Sequence, residues 1–316
     1  MIAYERHGVP PATDTGGRMT RRWLVTGCSS GLGRALAGAV AEAGDLVIAT
    51  ARKPAALRDL VARYPDRVTA MALDVCDAGQ CEAAVTYAVD HFGGVDVLVN
   101  NAGSGLFGAV EEVSDEELRA QLDVLTVAPW RLSRLVLPLM RRQGSGHIVN
   151  VSSLVGRMGL PGLSAYVTGK HALEGMTQAL AAEVAPFGIR VHAVEPGQFA
   201  THYSTAVTET ADRIPEYLVS TAEVRAGLRA MLDDPSIGRP EVFAAHVLRL
   251  VAARSAPVRV PIGEDAYAYL EAVEAAARDE LSAAHAFVHN PAPAPRESPA
   301  SPAEEVVATL AALPET

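Results

Sequence analysis

Seven short apolar runs alternate with helical patterns along most of this chain. Runs that are apolar on both faces and separated by helices are typical of a parallel sheet covered by helices on both sides. Crossovers between such strands are right-handed. We therefore predict a single α/β domain with a seven-stranded parallel sheet and helices on both faces. The predicted strands are residues 23–26, 46–50, 68–73, 95–99, 147–151, 189–194 and 258–262.

Three stretches do not follow this alternation. Residues 1–20 are mixed and aperiodic, so we predict a flexible leader, and Met19 is a second candidate for the native start. Residues 289–316 are rich in Pro and Ala and are predicted to be a disordered tail. Residues 198–236 are irregular and polar, and their length predicts a loop that covers the substrate. The folded domain is then expected at 21–288.

Composition excludes several classes of function. Hydrophobic residues make up 49% of the chain, which is enough for a sizeable core, and the net charge of −10 argues against a nucleic-acid partner. The chain has no apolar run of membrane-spanning length and no hydrophobic signal segment. Its three cysteines match no disulfide or metal-binding pattern. These features predict a soluble cytoplasmic protein that acts on a small molecule without a metal.

A glycine-rich turn follows the first predicted strand and opens a helix at 31–43. It reads Thr26-Gly-Cys-Ser-Ser-Gly-Leu-Gly33, with the spacing G-x-x-x-G-x-G. Glycines let the backbone approach a pyrophosphate, and a helix N-terminus offers amide donors to it. A turn that only closes a tight strand–helix connection is the alternative.

Tyr166 and Lys170 are candidate catalytic residues. They lie four positions apart and therefore share one face of a helix. A lysine ammonium beside a phenol stabilises phenolate, which suits the phenol for proton exchange near neutral pH. Ser153 lies thirteen positions upstream of Tyr166, whereas strand alternation directs Ser152 to the opposite side of the sheet. The Tyr-x-x-x-Lys pattern alone also fits a solvated helix face.

Together with Asn100-Asn-Ala-Gly103 after the fourth strand, these motifs resemble the short-chain dehydrogenase/reductase family over about residues 21–285. The turn and Ala51-Arg52 look most like its hydroxysteroid and retinol dehydrogenase-like branch. The resemblance implies a Rossmann fold, a bound nicotinamide dinucleotide and hydride transfer between a carbinol and a carbonyl.

The resemblance also implies roles for individual residues. Ser153 would polarise the substrate oxygen, Tyr166 would exchange its proton, and Lys170 would bind ribose and lower the pKa of the tyrosine. Asp74 has the alternative role of a strand-end cap, and Pro196-Gly197 that of an ordinary turn. Besides Tyr166 and Lys170, the implied cofactor-binding residues are Gly27, Ser29, Ser30, Gly31, Leu32 and Gly33 in the turn, Asp74 and Val75 at the adenine, Asn100, Ala102 and Gly103 along the ribose, and Pro196, Gly197, Phe199 and Thr201 at the carboxamide.

The residues after the second strand predict which dinucleotide binds. NAD-binding sheets place an acid there to hold the ribose 2′-hydroxyl, but this chain has Ala51 followed by Arg52 and Lys53. A guanidinium binds a 2′-phosphate through paired donors, and Ser29 adds a hydroxyl. The sequence therefore predicts NADP(H); the alternative is that Arg52 is a solvated surface charge.

Leu125 departs from the family pattern. An ungapped alignment through 136–140 places it where relatives carry an asparagine that supports a proton-relay water. Pro129 lies four residues later and lacks the N–H that would bond the Leu125 carbonyl. We expect a kink that frees this carbonyl to hold the relay water. The alternatives are drift at a nonessential position or a slowed enzyme.

The predicted function is therefore NADPH-dependent oxidoreduction of a carbonyl or secondary alcohol on a fairly apolar small molecule, with tyrosine as the acid/base. A dehydratase or isomerase, or a dinucleotide-binding sensor on the same fold, remain alternatives. Long helices at 114–142 and 163–187, with Leu132, Leu135 and Leu139 at helical spacing, favour a homodimer or homotetramer. Core packing explains the leucine stripe equally well.

Overall fold

The computed structural model describes residues 20–200, 207–230 and 237–289. Its central sheet contains seven parallel strands in the order β3-β2-β1-β4-β6-β7-β9, with helices on both faces. The predicted fold class is confirmed, and each predicted strand overlaps an observed one. The seven strands are β1 (Arg22–Val25), β2 (Leu46–Ala51), β3 (Val68–Ala72), β4 (Val97–Asn100), β6 (Gly146–Val151), β7 (Ile189–Pro196) and β9 (Arg259–Ile262).

The helices connect these strands or follow the last of them. They are α1 (Gly31–Glu42), α2 (Arg58–Arg63), α3 (Ala78–Phe92), α4 (Asp115–Leu122), α5 (Ala128–Gln143), α6 (Ser164–Val184), α7 (Leu218–Ala230), α8 (Pro240–Ala252) and α9 (Glu264–His289).

Alternate side chains of each strand point to opposite faces of the sheet and build two cores. Val25 and Val149 pack with α1 and α8 on one face. Leu24 and Ile148 pack with α3, α5 and α6 on the other. Burying a Val or Leu side chain contributes about 1.5–3 kcal/mol, so the helices are held on both faces mainly by these contacts.

The prediction that 198–236 is irregular was wrong, whereas its role in covering the substrate stays a prediction. Within 198–236, the structure forms β8 (Thr208–Glu209) and the helix α7, and β8 pairs in parallel with β5 (Leu106–Phe107). Two residues make β8 too short to show an alternating pattern in the sequence. The many small and charged residues of 218–230 hid the period of a helix that buries only Thr221.

Residues 207–230, the covering segment, are clamped onto the residues that follow β5. Glu112 is buried and accepts a hydrogen bond from the Ile214 N–H at 2.8 Å. The hydroxyl of Tyr217 donates to Glu111 at 2.6 Å. Together with the β5–β8 pairing, these bonds hold the covering segment in one position.

The helix predicted to start at Ser114 begins with the predicted capping box, in which Ser114 and Glu117 bond each other's backbone. It then widens into a π turn over Asp123–Val127 before α5 begins. The α-helical pattern is therefore interrupted at Leu125, as expected from Pro129. The proline itself lies in the first turn of α5, where its missing N–H costs little.

The leucine stripe of α5 belongs to the core. Leu132 is 1% and Leu139 8% exposed, and both pack against the sheet. The core alternative therefore explains these residues, so they no longer support an oligomer.

The chain divides into two compact units, Met1–Leu270 and Glu271–Thr316. The second contains, within the described residues, the helical stretch 271–289. None of the helices in the described ranges combines the length and hydropathy that a bilayer crossing requires. Of the predicted leader (1–20) and tail (289–316), all but Thr20 and His289 lie outside the described residues; Thr20 is buried and His289 ends α9. The domain boundary at 288 stays a prediction.

Two buried histidines lie side by side on β6 and β7. The guanidinium of Arg190 donates to Nε2 of His147 at 2.8 Å, and the His147 and His192 rings lie 6.2 Å apart. Burial, together with smaller effects of the charges of Arg190 and His192, lowers the pKa of His147 to about 3. His147 is therefore neutral in the folded protein.

This neutral histidine predicts a loss of stability in acid. The unfolded chain binds a proton at His147 near its ordinary pKa of ~6.5, whereas the folded chain does so only near 3. The free energy of unfolding should therefore fall as pH drops from ~6.5 towards 3, by up to about 1.4 kcal/mol per pH unit. Urea unfolding at several pH values measures the slope. His147→Gln should flatten it, and His246→Gln, at an exposed histidine, should leave it unchanged; equal slopes in all three proteins would refute the assignment.

Candidate active site

The carboxyl ends of β1, β4 and β6 meet at one edge of the sheet because these strands are parallel neighbours. The glycine turn follows β1, Asn100 ends β4, and Ser153 lies just after β6. The topology thus brings the separately predicted motifs to one edge, which is where open α/β sheets bind ligands.

The backbone of the glycine turn requires glycine. Gly27 has φ +71° and Gly31 φ +58°, in the left-handed region that side chains disfavour. A Cβ on Gly27 would lie 2.8 Å from the Ala102 Cα, and a Cβ on Gly33 would overlap the Gly27 carbonyl. The turn is therefore shaped by close backbone approach.

The helix that follows the turn presents its first amides without a side-chain cap. Ser30 occupies the N-cap, but its hydroxyl makes no capping bond. Ser29 and Ser30 are exposed, and Gly31 and Leu32 are partly exposed. Open amides at the positive end of the helix dipole, beside turn glycines, fit the pyrophosphate of a dinucleotide.

Asn101 holds the turn against β4. Its amide nitrogen donates to the Thr26 carbonyl at 2.8 Å and to the Gly27 carbonyl at 3.1 Å. The Thr26 hydroxyl accepts the N–H groups of Asn101 and Ala102. Sequence reasoning did not give Asn101 a role, although its place in the Asn-Asn-Ala-Gly motif was a usable signal.

Arg52 and Lys53 are exposed at the carboxyl end of β2, beside the turn. The Cys28 N–H of the turn donates to the Thr50 carbonyl at 2.7 Å, which fixes the two segments together. Arg34 of α1 donates to the Ala56 carbonyl just beyond them. Two cations and no carboxylate therefore occupy the first two positions after β2.

The predicted adenosine residues also converge. Val75, Asn100 and Ala102 line one depression beside Thr26. Asp74 is half-buried, and its carboxylate accepts the Cys76 N–H at 3.0 Å. The capping role proposed as its alternative is thus present, and a role at the adenine stays a prediction.

A chain of buried hydrogen bonds fixes α6 on the sheet. The Asn100 amide donates to the Asn150 side chain at 2.8 Å, and the Asn150 amide donates to the Thr177 hydroxyl at 2.9 Å. That hydroxyl donates in turn to the Leu173 carbonyl at 2.7 Å. The register of α6, and so the height of Tyr166 and Lys170 above the strand ends, follows from this chain.

Tyr166 and Lys170 lie on the buried face of α6, 7% and 5% exposed. The Lys170 Nζ lies 5.6 Å from the Tyr166 ring centroid and donates to the Val151 carbonyl at 2.7 Å. Burial lowers the pKa of Lys170 to about 8, while the charge of Glu174 raises it. The alternative of a solvated helix face is wrong, because both side chains are buried.

Ser153 opens a short 3₁₀ turn, Leu154–Gly156, and its hydroxyl accepts the Val155 N–H. Val155 packs against Tyr166, so this turn brings the serine's segment to the tyrosine. Ser152 is 3% exposed and directed away, towards Gly156. The preference for Ser153 over Ser152 is consistent with this placement.

Leu125 lies beneath the pair. It is 1% exposed and packs with Val155 and Tyr166. A Cβ on Gly103 would lie 3.0 Å from the Leu125 Cδ2 and 4.0 Å from the Lys170 Nζ. The Leu125 side chain therefore fills the space next to Lys170 where relatives are expected to carry a polar residue. A proton relay through the Leu125 carbonyl stays a prediction.

The residues predicted for the carboxamide end divide into two groups. Pro196 ends β7, and Gly197 lies directly against the Asp265 carboxylate, which a side chain at 197 would displace. The Phe199 ring instead packs in the core at 6.0 Å from the Phe243 ring centroid. A cofactor contact by the Phe199 side chain is therefore not supported. Thr201 lies outside the described residues.

Comparison with known proteins agrees with this architecture. The family profile described as short chain dehydrogenase matches residues 21–212. An oxidoreductase of Botryotinia fuckeliana, BOA17, is 39% identical over 79% of this chain and 92% of its own length. The 3-ketodihydrosphingosine reductase of Bacteroides thetaiotaomicron is 33% identical over 76% of this chain and 87% of its own.

Solved structures extend the likeness. A short-chain dehydrogenase from Streptomyces avermitilis is 40% identical, with a TM-score of 0.79 over 86% of this chain and 98% of its own. A 3-ketoacyl-(acyl-carrier-protein) reductase from Brucella melitensis, complexed with NADH, is 27% identical with a TM-score of 0.66 over 76% of this chain and 96% of its own. A metagenomic short-chain oxidoreductase in complex with NADP is also 27% identical, with a TM-score of 0.62 over 77% and 96%.

The matched profile spans most of the sheet and the candidate site, and the relatives are matched over most of their own lengths. Both nicotinamide dinucleotides occur among the structural relatives. The chain belongs to the short-chain dehydrogenase/reductase family and is an NAD(P)-dependent oxidoreductase.

Proposed function

We propose that this protein catalyses NADPH-dependent hydride transfer between the nicotinamide and a carbonyl or secondary alcohol of a fairly apolar small molecule, with Tyr166 as the acid/base. The observation that carries the proposal is the buried Tyr166–Lys170 pair, with the Lys170 Nζ 5.6 Å from the phenol ring. A lysine held on the same buried helix face as a tyrosine is the arrangement that proton exchange by a phenol requires.

Bound NADPH supplies the hydride for reduction at the substrate carbon. Ser153 orients the substrate oxygen by a hydrogen bond, and the Tyr166 hydroxyl gives that oxygen its proton. Lys170 stabilises the phenolate that remains at Tyr166. In the reverse direction the phenolate accepts the proton of the alcohol.

The preference for NADPH rests on the residues after β2. Ala51 is buried and ends the strand where an acid would hold a ribose 2′-hydroxyl. Arg52 follows it and is exposed, free of the desolvation cost that a buried guanidinium would carry. Paired donors on Arg52 suit a 2′-phosphate.

The apolar substrate class rests on what surrounds Tyr166. Val155 is buried against it, and Met158 and Leu160 pack on the same cluster. Leu106 and Phe107 are buried under the covering segment through the β5–β8 pairing. The name of the Bacteroides relative, a ketodihydrosphingosine reductase, is compatible with a ketone on an apolar molecule.

Two further points remain proposals. The Leu125 carbonyl is proposed as an acceptor for a relay water, since Pro129 offers it no N–H. A homodimer or homotetramer is proposed on the family resemblance alone.

Arg52 should determine cofactor choice. We expect NADPH to bind at least tenfold more tightly than NADH, because a hydrogen bond to a charged group is worth ~1.5–3 kcal/mol. Arg52→Ala should remove most of this preference. Titration of both cofactors by protein fluorescence or calorimetry measures the two dissociation constants.

Arg254→Ala is the matched control, because it removes an exposed arginine that lies just before β9, at the opposite end of the sheet. Its cofactor preference should equal that of the parent. Equal affinities of the parent protein for NADPH and NADH would overturn the NADPH assignment.

Tyr166 should be essential for turnover. Tyr166→Phe keeps the ring that packs on Leu125 and Val155 but removes the proton, so reduction should fall by ~10²–10⁴ with little change in NADPH affinity. Loss of NADPH absorbance with a panel of apolar ketones and aldehydes measures the rate. Tyr87→Phe on α3 should retain parent turnover.

Near-parent turnover of Tyr166→Phe would contradict the mechanism. No oxidation of NADPH by the parent with any carbonyl of the panel, despite tight cofactor binding, would instead support a sensor or a dehydratase or isomerase.

A further inference from the structure

Two buried carboxylates lie on α6 and β7, the elements that pack together next to Lys170. Glu174 is one helical turn after Lys170 on α6, and Glu195 lies near the end of β7. They are 2% and 0% exposed. Ionised carboxylates are almost never buried to this degree without strong compensation.

The two side chains face the same space. Every second side chain of β7 points towards α6, because successive side chains of a strand alternate between the two faces. Ile189 and Val191 pack in the core on that face, and Glu195 has the same parity. The Ser152 N–H donates to the Val194 carbonyl, which places Ser152 beside Glu195 on the neighbouring strand. A Cβ on Gly156 would lie 2.8 Å from the Ser152 Oγ and 3.0 Å from the Glu174 Cγ.

The cations around Glu174 and Glu195 offset the cost of burying these two carboxylates only in part. The Arg259 Nε lies 3.1 Å from Glu174, and an Arg157 nitrogen lies 3.5 Å from Glu195. Both oxygens of Glu195, one of Glu174 and the Ser152 hydroxyl are buried without a hydrogen-bond partner among the described residues. The charged groups that face the pair are therefore Lys170 on α6, Arg157 after β6 and Arg259 on β9.

These surroundings favour a proton on the pair. Burial and, to a smaller extent, the charge of Glu174 raise the pKa of Glu195 to about 7 against the opposing effects of Arg157 and Arg259. The same Glu174 charge raises the pKa of Lys170, which burial lowers. The two carboxylates and the lysine thus form one coupled system.

We propose that Glu174 and Glu195 share a proton and act as positioning residues that set the charge of Lys170. With the proton present, the pair carries one negative charge; without it, the pair carries two. As pH rises, the added negative charge keeps Lys170 in its ammonium form beside Tyr166. The pair therefore extends the pH range over which Lys170 supports the phenol.

The chain allows a direct test because it contains only two lysines, Lys53 and Lys170. In a Lys53→Arg background, lysine labelled with ¹³C at Cε gives a single resonance, and its chemical shift reports the protonation of Lys170 without any substrate. Removing the Glu174 charge should lower the midpoint of this titration. We expect Glu174→Gln to shift it down by about one pH unit, as an opposite charge at close range does.

Glu183→Gln is the matched control, on the same helix, and should leave the midpoint unchanged. An unchanged midpoint in folded Glu174→Gln would overturn the coupling to Lys170. If that variant does not fold, Arg259→Gln serves in its place, since Arg259 is partly exposed. Loss of the Arg259 cation should raise the titration midpoint of the Glu195 carboxyl, which the infrared measurement below follows. An unchanged carboxyl midpoint would count against the pair.

The shared proton is tested separately by pH-difference infrared spectroscopy of the full chain. A protonated carboxyl stretch should titrate with a midpoint near 7 and disappear in Glu195→Gln. A parent protein without this band would overturn the shared proton.

The inference deepens the proposed function, so a third measurement links the two. The alkaline limb of the pH profile of kcat for carbonyl reduction should move with the Lys170 midpoint in Glu174→Gln. If the alkaline limb of the kcat profile stayed in place although the Lys170 midpoint had shifted, the link between the pair and turnover would be overturned. If no carbonyl is reduced at all, the proposed function fails, while the resonance and the infrared band still decide the carboxylate pair.

Discussion

The buried hydrogen-bond chain from Asn100 through Asn150 to Thr177 is the constraint on which the candidate site depends. Each of these polar groups is buried, and a buried donor or acceptor left unpaired costs about 1–3 kcal/mol. Sliding α6 by one residue along the sheet would leave Asn150 without Thr177. The apolar contacts hold α6 against the sheet, but this polar chain selects the position at which it is held.

That position gives successive turns of α6 different surroundings. Towards its start, Tyr166 lies among apolar side chains, with Leu125 and Val155 packed against it. One helical turn later, Lys170 donates a hydrogen bond to the Val151 carbonyl of β6. One further turn along, α6 carries the buried Glu174. One helix therefore carries an apolar surrounding at Tyr166 and buried charge from Lys170 onwards.

Much of the fold was accessible from the sequence because parallel strands buried on both faces are short, apolar and regularly spaced. The glycine turn, Ser153, Tyr166 and Lys170 were accessible for a related reason, since their chemistry depends on fixed local spacing. The β5–β8 pairing and Glu195 were not. A two-residue strand has no period to detect, and a glutamate at a strand end reads as a solvated charge until the neighbouring strands and α6 enclose it. The core position of the Phe199 ring was not accessible either, because its burial depends on Phe243, far along the chain.

The π turn at Asp123–Val127 changes the direction in which the side chain at a given position of this helix points. An α-helix advances about 100° per residue about its axis, so counting back from 136–140 to Leu125 assumes an unbroken spiral. The wider turn adds a residue that the count does not include, and the helical faces before and after it are out of phase by roughly that angle. Next to Leu125, Thr126 directs its hydroxyl to the Gly169 carbonyl of α6. The residue here that corresponds to a given residue of a relative is therefore the one whose side chain faces α6. Counting along the sequence alone does not distinguish Leu125 from Thr126.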